Sequence, residues 1–203
     1  MSRLNDMGLK CTKDEVITSL GACRALVESR NLRPYLLLSP DAAEEFASVD
    51  CSPPHNAVVL GLYPPGFGYD ALNTAFRILK REPLNSTPAD SNATAETSTP
   101  VLIAPHKAAY HQAPATSAFP AGLSLGIGAY VRALEEAAGV EAQVVGKPTR
   151  GFYELAMRRM EKIYGIKLGS GNDGVAIIGD DVRNDLGAGA LELGLKRILG
   201  ELV

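Results

Sequence analysis

The sequence contains no tryptophan, seven tyrosines and five phenylalanines, so aromatic residues make up only 6% of it. With 46% hydrophobic and 21% charged residues the composition is still that of a globular chain. Cysteine is scarce. Cys11, Cys23 and Cys51 form no Cys-x-x-Cys pair and no metal-ligand spacing. An odd, scattered set of this kind predicts reduced thiols in an intracellular protein, packed as small hydrophobes, and excludes a disulfide framework. Positive charge is neither in excess nor clustered. Twenty Lys and Arg stand against 23 Asp and Glu, a net charge of −3, and no basic run would track a phosphate backbone, so nucleic acid is not an expected partner. Long apolar runs are also missing. The longest, Ala118 to Val131, is too short and glycine-rich to span a bilayer. The opening residues MSRLNDMGLK have no apolar core of a secretory leader. The expectation is a soluble, cytoplasmic protein that binds no membrane.

What is present alternates between two periods. Thr12-Lys13-Asp14-Glu15 has the pattern of a capping box, and Val16, Leu20, Cys23 and Val27 follow at helical spacing, which predicts an amphipathic helix over 13–30. Pro34 to Leu38 and Ala57 to Leu60 are apolar runs of strand length. Ser39-Pro40-Asp41 opens a helix between them, with Ser at the cap and Pro in the first turn. A helix is expected over 69–80, with Leu72, Phe76 and Leu79 on one face. Val101 to Ile103 is the next strand, followed by a Gly/Pro-punctuated loop to about Leu125 and a helix over 127–137. Strands at 142–145, 174–178 and 196–199 then alternate with helices at 148–164 and 184–192. Strands separated by helices of this length mean βαβ units, hence an α/β fold with a mainly parallel sheet.

One segment stands apart. EPLNSTPADSNATAETSTP, from Glu82 to Pro100, has a single sizeable apolar side chain, Leu84, and too little to bury to offset the entropy of ordering. A disordered surface insertion is expected over 82–100. Its Asn85-Ser86-Thr87 and Asn92-Ala93-Thr94 triplets match the glycosylation acceptor pattern by chance.

Charges gather at two strand ends. Val144-Val145-Gly146-Lys147-Pro148 places a lysine there. VAIIGDDVRND, from Val175 to Asp185, places Asp180 and Asp181 there, with Asp185 a turn beyond. In an open α/β sheet the ligand lies beyond the carboxyl ends of the strands. If the two strands are neighbours, Lys147 and Asp180 share one sheet edge. A lysine beside carboxylates suits phosphoryl chemistry. Carboxylate oxygens hold Mg²⁺ while waters and phosphate complete the octahedron, and the lysine offsets charge on the phosphate. Each feature has a plainer alternative: Asp at a helix N-cap, and a solvated lysine at a strand end. Gly187-Ala188-Gly189 falls inside a predicted helix, which argues for close packing rather than a dinucleotide loop. His55, His106 and His111 show no ligand spacing and are expected to be structural or on the surface.

VVGKP followed some thirty residues later by IIGDDVRND resembles motifs III and IV of the haloacid dehalogenase (HAD) superfamily. NAVVLGL (56–62), YDALNTAFRIL (69–79), LIAPHKAAY (102–110) and LSLGIGAYVRALEEAAGVEAQVVGKP (123–148) extend the resemblance to its NagD-like branch, which has a large α/β cap. The resemblance implies a partial Rossmann-like HAD core plus a cap. Residues 1–12 would be a linker, 13–135 the cap and 136–203 the C-terminal part of the core. It implies Mg²⁺ and a small phosphorylated substrate. Lys147 would be the motif III lysine and Asp180 the metal ligand, with Asp185 behind it holding metal-bound water or Lys147 and Asp181 supporting. The cap would cover the site, its loop around His106, Lys107 and Tyr110 facing substrate, and it could join two copies into a homodimer.

The family reaction also needs an aspartate nucleophile in an Asp-x-Asp-Gly motif at a strand end, and a Ser or Thr for the phosphoryl oxygens. No Asp-x-Asp occurs anywhere in the sequence. Asn172-Asp173-Gly174 precedes a strand instead of ending one, and Ser39 lies in the expected cap. The expectation is therefore a phosphatase homologue that starts after motif II and is inactive as it stands, a fragment of a longer active enzyme. The alternatives are a dimerising or regulatory module built on the cap, and an enzyme completed in trans. The strands at 142–145, 174–178 and 196–199 are expected to keep an unpaired edge, leaving a marginal core.

Overall fold

The computed structural model describes Asp6, Gly8 and residues 10–84, 99–168 and 174–200. The acceptor triplets, most of the Ser/Thr/Pro-rich insertion and the Asn172-Asp173 pair lie outside the described residues. The chain divides into two compact units, one made of Met1–Ala22 with Val145–Val203, the other of Cys23–Val144.

The Cys23–Val144 unit is built on four parallel strands: β1 (Pro34–Leu37), β2 (Ala57–Leu60), β3 (Val101–Ala104) and β6 (Gln143–Val144), adjacent in that order. Strand β2 is central and buried at every position. This is why AVVL is uniformly apolar and not alternating, since a parallel strand is covered on both faces. Its Val58 and Leu60 join Leu102 and Ala104 of β3 in a core with two helices, α3 (Tyr69–Lys80) and α4 (Ile127–Ala138). Ala75, Ile78 and Leu79 come from α3, and Ile127, Val131 and Leu134 from α4. Helix α2 (Pro40–Ala43) starts as its sequence signal predicts, with Ser39 Oγ accepting from Ala42 N–H at 3.3 Å.

Three expectations are corrected. The Thr12–Glu15 capping box closes only a 3-10 turn at Lys13–Glu15; helix α1 (Ser19–Ser29) begins later, where Thr18 Oγ1 accepts from Gly21 N–H at 2.9 Å. The Glu15 carboxylate accepts from Thr12 N–H and from its hydroxyl. The loop expected after Ile103, to about Leu125, holds an antiparallel hairpin, β4 (Tyr110–Ala113) paired with β5 (Gly122–Leu125). Its strands are four residues long, too short for the alternation to stand out. Third, β6 pairs with β3, Gln143 opposite Ile103, and not with β7 (Ala176–Gly179), whose partner is β8 (Lys196–Leu199). The strand after α4 thus closes the sheet of the Cys23–Val144 unit.

In the other unit, Ala22, Phe152, Tyr153, Val175, Ala190 and Leu195 form the core. Helix α5 (Arg150–Tyr164) supplies the two aromatics and α6 (Ala188–Glu192) supplies Ala190. The predicted helix over 184–192 is shorter than expected, because the residues before it are held in turns by Asp181. Strands β7 and β8 form a two-stranded parallel sheet in which Ile178 is 71% and Leu199 57% exposed.

Candidate active site

Lys147, Asp180, Asp181 and Asp185 all belong to the Met1–Ala22/Val145–Val203 unit. Strand β7 stops at Gly179, so Asp180 is the first residue past the strand, with an exposed side chain. The chain then turns on Asp181. Its Oδ1 accepts from Arg183 N–H (2.8 Å) and Asn184 N–H (2.9 Å), and its Oδ2 accepts from Asn184 Nδ2 at 2.6 Å. These bonds hold the Asp181 carboxyl below the usual carboxylate range, the Asn184 backbone N–H first among them. They also occupy both its oxygens. Asp181 therefore organises the loop, while Asp180 is left to face solvent.

The turn carries Asp185 back to the strand end. Its Oδ1 accepts from Lys147 Nζ at 2.5 Å and its Oδ2 accepts from Asp181 N–H at 3.2 Å. Gly179 makes room. A Cβ there would stand 2.4 Å from Asp185 Cβ and 2.9 Å from its Cγ. Lys147 arrives from the turn after β6, where Thr149 N–H donates to Gly146 O at 3.0 Å. Gly189 of α6 packs on the same turn, its N–H donating to Pro148 O at 2.9 Å. Lys147 and Asp185 thus meet without their strands being paired.

The Lys147 ammonium holds the Asp185 carboxyl below the ordinary range against an opposing push from partial burial, with help from the Asp181 N–H and the Asp180 side chain. Asp180 and Asp185 therefore lie within reach of each other, an acidic pair beside one cation. The sign of the pH dependence follows. The folded value is depressed, so the stabilisation is complete above the unfolded-state value of about 3.9 and is lost as pH falls through the lower folded value. Carboxyl-carbon NMR of Asp185 is expected to titrate below an ordinary aspartate, and Lys147→Met to move that midpoint up.

His106, Lys107 and Tyr110 belong to the Cys23–Val144 unit. Lys107 Nζ lies 2.8 Å from Glu135 on α4, and that carboxylate also accepts from Ala142 N–H at 2.7 Å. Burial pushes the Glu135 carboxyl up, but the bonds from Lys107 and Ala142 outweigh it and hold it down. Lys107 is thereby committed to tying its loop to α4. The same loop backbone lies against Gly128, where a Cβ would meet Lys107 O at 2.3 Å. His106 is half-buried, and its imidazole is disfavoured as a cation by burial and by His111. Tyr110 is 63% exposed on β4. Ser39 serves as the cap of α2. Among the described residues no group of three or more His, Cys, Asp or Glu gathers as a metal would require, and no helix is long and apolar enough to cross a membrane.

Tyr153 and Gly179 were not legible as site residues. Tyr153 reads in sequence as one more apolar position of α5, yet its Oη donates to Asp185 O at 2.7 Å. The glycine before Asp180 looks like simple strand punctuation until the returning Asp185 is placed against it.

A lysine and a carboxylate loop stand at the carboxyl ends of α/β strands, and the Hydrolase_like family model ("HAD-hyrolase-like") matches residues 144–200. Nearly the whole chain is similar to haloacid dehalogenase-like proteins. It is 38% identical over 199 residues to the haloacid dehalogenase-like hydrolase domain-containing protein 2 of Bos taurus, covering 98% of this chain and 64% of that protein. It is 33% identical over 197 residues to the phospholysine phosphohistidine inorganic pyrophosphate phosphatase of Xenopus laevis, covering 97% of this chain and 62% of that protein. The chain therefore spans somewhat less than two thirds of these relatives. In fold it matches the p-nitrophenyl phosphatase from Archaeoglobus fulgidus with a TM-score of 0.72 at 21% identity, covering 98% of this chain and 66% of that one.

Proposed function

We propose that this chain carries the cap and the lysine-and-acid half of a Mg²⁺-dependent HAD phosphatase site for small phosphorylated substrates, phosphomonoesters or pyrophosphate. The observation that carries the reading is the 2.5 Å contact of Lys147 Nζ with Asp185 Oδ1 beside Asp180 at the end of β7. On this reading the Cys23–Val144 unit is the cap and the other unit part of the core.

The residues suit the metal. Mg²⁺ takes oxygen ligands and commonly uses one or two protein carboxylates, with waters and phosphate oxygens for the rest. Asp180 and Asp185 are two such carboxylates within reach of each other, and the Asp180 side chain is exposed. Asp180 would hold the ion, and Asp185 would orient its waters or Lys147. When bound, the cation neutralises charge on phosphoryl oxygens. Lys147 adds fixed positive charge on the same side, and Asp181 keeps the loop closed. A nucleophile is a separate requirement, and the 203 residues hold no Asp-x-Asp. The chain by itself is therefore proposed to be catalytically silent. Purified chain with Mg²⁺ is expected to show no turnover of p-nitrophenyl phosphate. Turnover that disappears in Lys147→Met or Asp180→Asn would overturn this. A polypeptide carrying an Asp-x-Asp strand is expected to restore it. The exposed Ile178 and Leu199 on a two-stranded parallel sheet support such a docking strand, since parallel sheets are normally covered.

A second reading, a dimerising cap module, rests on the β4–β5 hairpin. Tyr110 is paired with Leu125, and Leu123 lies on the same face two residues along; these are 63%, 58% and 71% exposed, and Phe119 in the connecting loop is 74% exposed. A contiguous apolar face of this kind marks an interface. Light scattering is expected to give the mass of two copies, falling to one in Leu123→Glu. A monomeric wild-type chain would dismiss the reading.

A further inference from the structure

We infer that Tyr153 is a positioning residue for the Asp180–Asp185 loop, acting through its phenol hydroxyl and not only through its ring. The inference rests on the reading of that loop as the acidic half of the site.

Tyr153 is 6% exposed and packs edge-on to Phe152, with ring centroids 5.9 Å apart at 83°. The ring is therefore explained by the core of its unit. The hydroxyl is not. Its O–H donates to Asp185 O at 2.7 Å, with Asn184 O at the margin, 3.5 Å away. A buried tyrosine needs a partner for its O–H, but here the partner is the backbone of the residue whose side chain meets Lys147. Burial, and then the Asp185 charge, push the phenol upward, so it stays protonated and remains a donor.

Most bonds inside the loop are local. Asp181 supplies them, through Arg183, Asn184 and the Asp185 N–H. Local bonds shape a turn but do not anchor it to the rest of the unit. Among the described residues, Tyr153 and Arg197 reach the loop's carbonyls from outside it: Tyr153 Oη donates to Asp185 O, and Arg197 Nη1 to Leu186 O at 3.1 Å. Tyr153 thus fixes the height of Asp185 from α5, the helix that follows Lys147. One short span of chain, Lys147 to Tyr153, holds Asp185 by its carboxylate at one end and by its carbonyl at the other.

Tyr153→Phe tests this. It keeps the ring, its volume and its contact with Phe152, and leaves the Asp185 carbonyl without its donor, a loss that corresponds to about tenfold in a local opening equilibrium. Residue-resolved amide exchange on the intact chain is expected to rise about tenfold at Asn184, Asp185 and Leu186 in the variant, with α5 and β7 changing less than twofold. A uniform rise across the unit, or none in the loop, would overturn the inference. Phe152→Leu serves as the comparison, expected to speed exchange throughout the unit without singling out the loop. Titration with MgCl₂, followed by the amide shifts of Asp180 to Asp185, separates the two readings. If the loop loosens selectively but neither wild type nor variant responds to Mg²⁺, the metal reading fails and the role of Tyr153 stands. If wild type responds and the variant responds about tenfold more weakly, both stand. A response identical in both proteins, with unchanged loop exchange, rejects the role of Tyr153 and keeps the metal reading.

Discussion

Gly189→Ala is expected to unfold the Met1–Ala22/Val145–Val203 unit while leaving the Cys23–Val144 sheet largely protected. The added methyl would stand 2.3 Å from Arg150 N, 2.5 Å from Arg150 Cα and 2.6 Å from Thr149 C. All three are backbone atoms at the start of α5, so no side-chain rotation relieves the contact. Moving α6 away breaks the Gly189 N–H bond to Pro148 O and draws Ala190, fully buried, out of the core. Overpacking of this kind costs about 1–3 kcal/mol, occasionally more. This unit has little in reserve, because among the described residues its core cluster contains six buried apolar side chains and its two-stranded sheet leaves Ile178 and Leu199 in solvent. Small cores are correspondingly marginal. Amide exchange resolved by residue is the measurement. Protection is expected to collapse over α5, β7 and β8 and to persist over β1, β2 and β3. Full protection in both units would show that the α5–α6 contact yields more easily than its geometry implies.

Gly179→Val is expected to have the largest effect on the acidic loop without unfolding the unit. A Cβ at 179 would overlap Asp185 Cβ at 2.4 Å, and its Cγ and Oδ2 at 2.9 Å. The Asp185 Cβ cannot turn away by side-chain rotation, so the loop backbone at Asp185 must shift while the strand survives; valine is itself a favourable strand residue. The Lys147 bond is lost with the displacement. The Asp185 carboxyl is expected to return to the ordinary carboxylate range, and any Mg²⁺ response of the loop to weaken by tenfold or more, because the two carboxylates no longer converge. NMR titration of the variant against pH and against MgCl₂ checks both. An unchanged Asp185 midpoint would mean that the loop accommodates the side chain by another route.

How much of this was legible beforehand differs between the units for a physical reason. The buried strands β1, β2 and β3 and the helices α3 and α4 announce themselves through unbroken apolar runs and a 3.6-residue period, because burial selects for both. Strand β6 also announced itself, but not its partner. Gln143 and Val144 are compatible with either sheet, and pairing is decided by where α4 returns the chain. The short hairpin strands have too few residues to express a pattern. At Thr12–Glu15 the local signal was real but ended in one turn, since Thr18 offered the better cap for the helix that follows.

The sequence by itself determined the α/β class, the lysine and aspartates of the candidate site, and the lack of an Asp-x-Asp motif, because these depend on residue type and spacing along the chain. Only the tertiary structure decided that Asp181 is consumed by its own turn while Asp180 is left open, that Lys147 meets Asp185 from the turn before α5, and that Tyr153 holds that aspartate by its carbonyl. Hydrogen-bond partners some thirty residues apart leave no periodic trace. They are fixed by how helix and loop pack, and glycines such as Gly179 and Gly189 acquire their meaning only from the atoms that approach them.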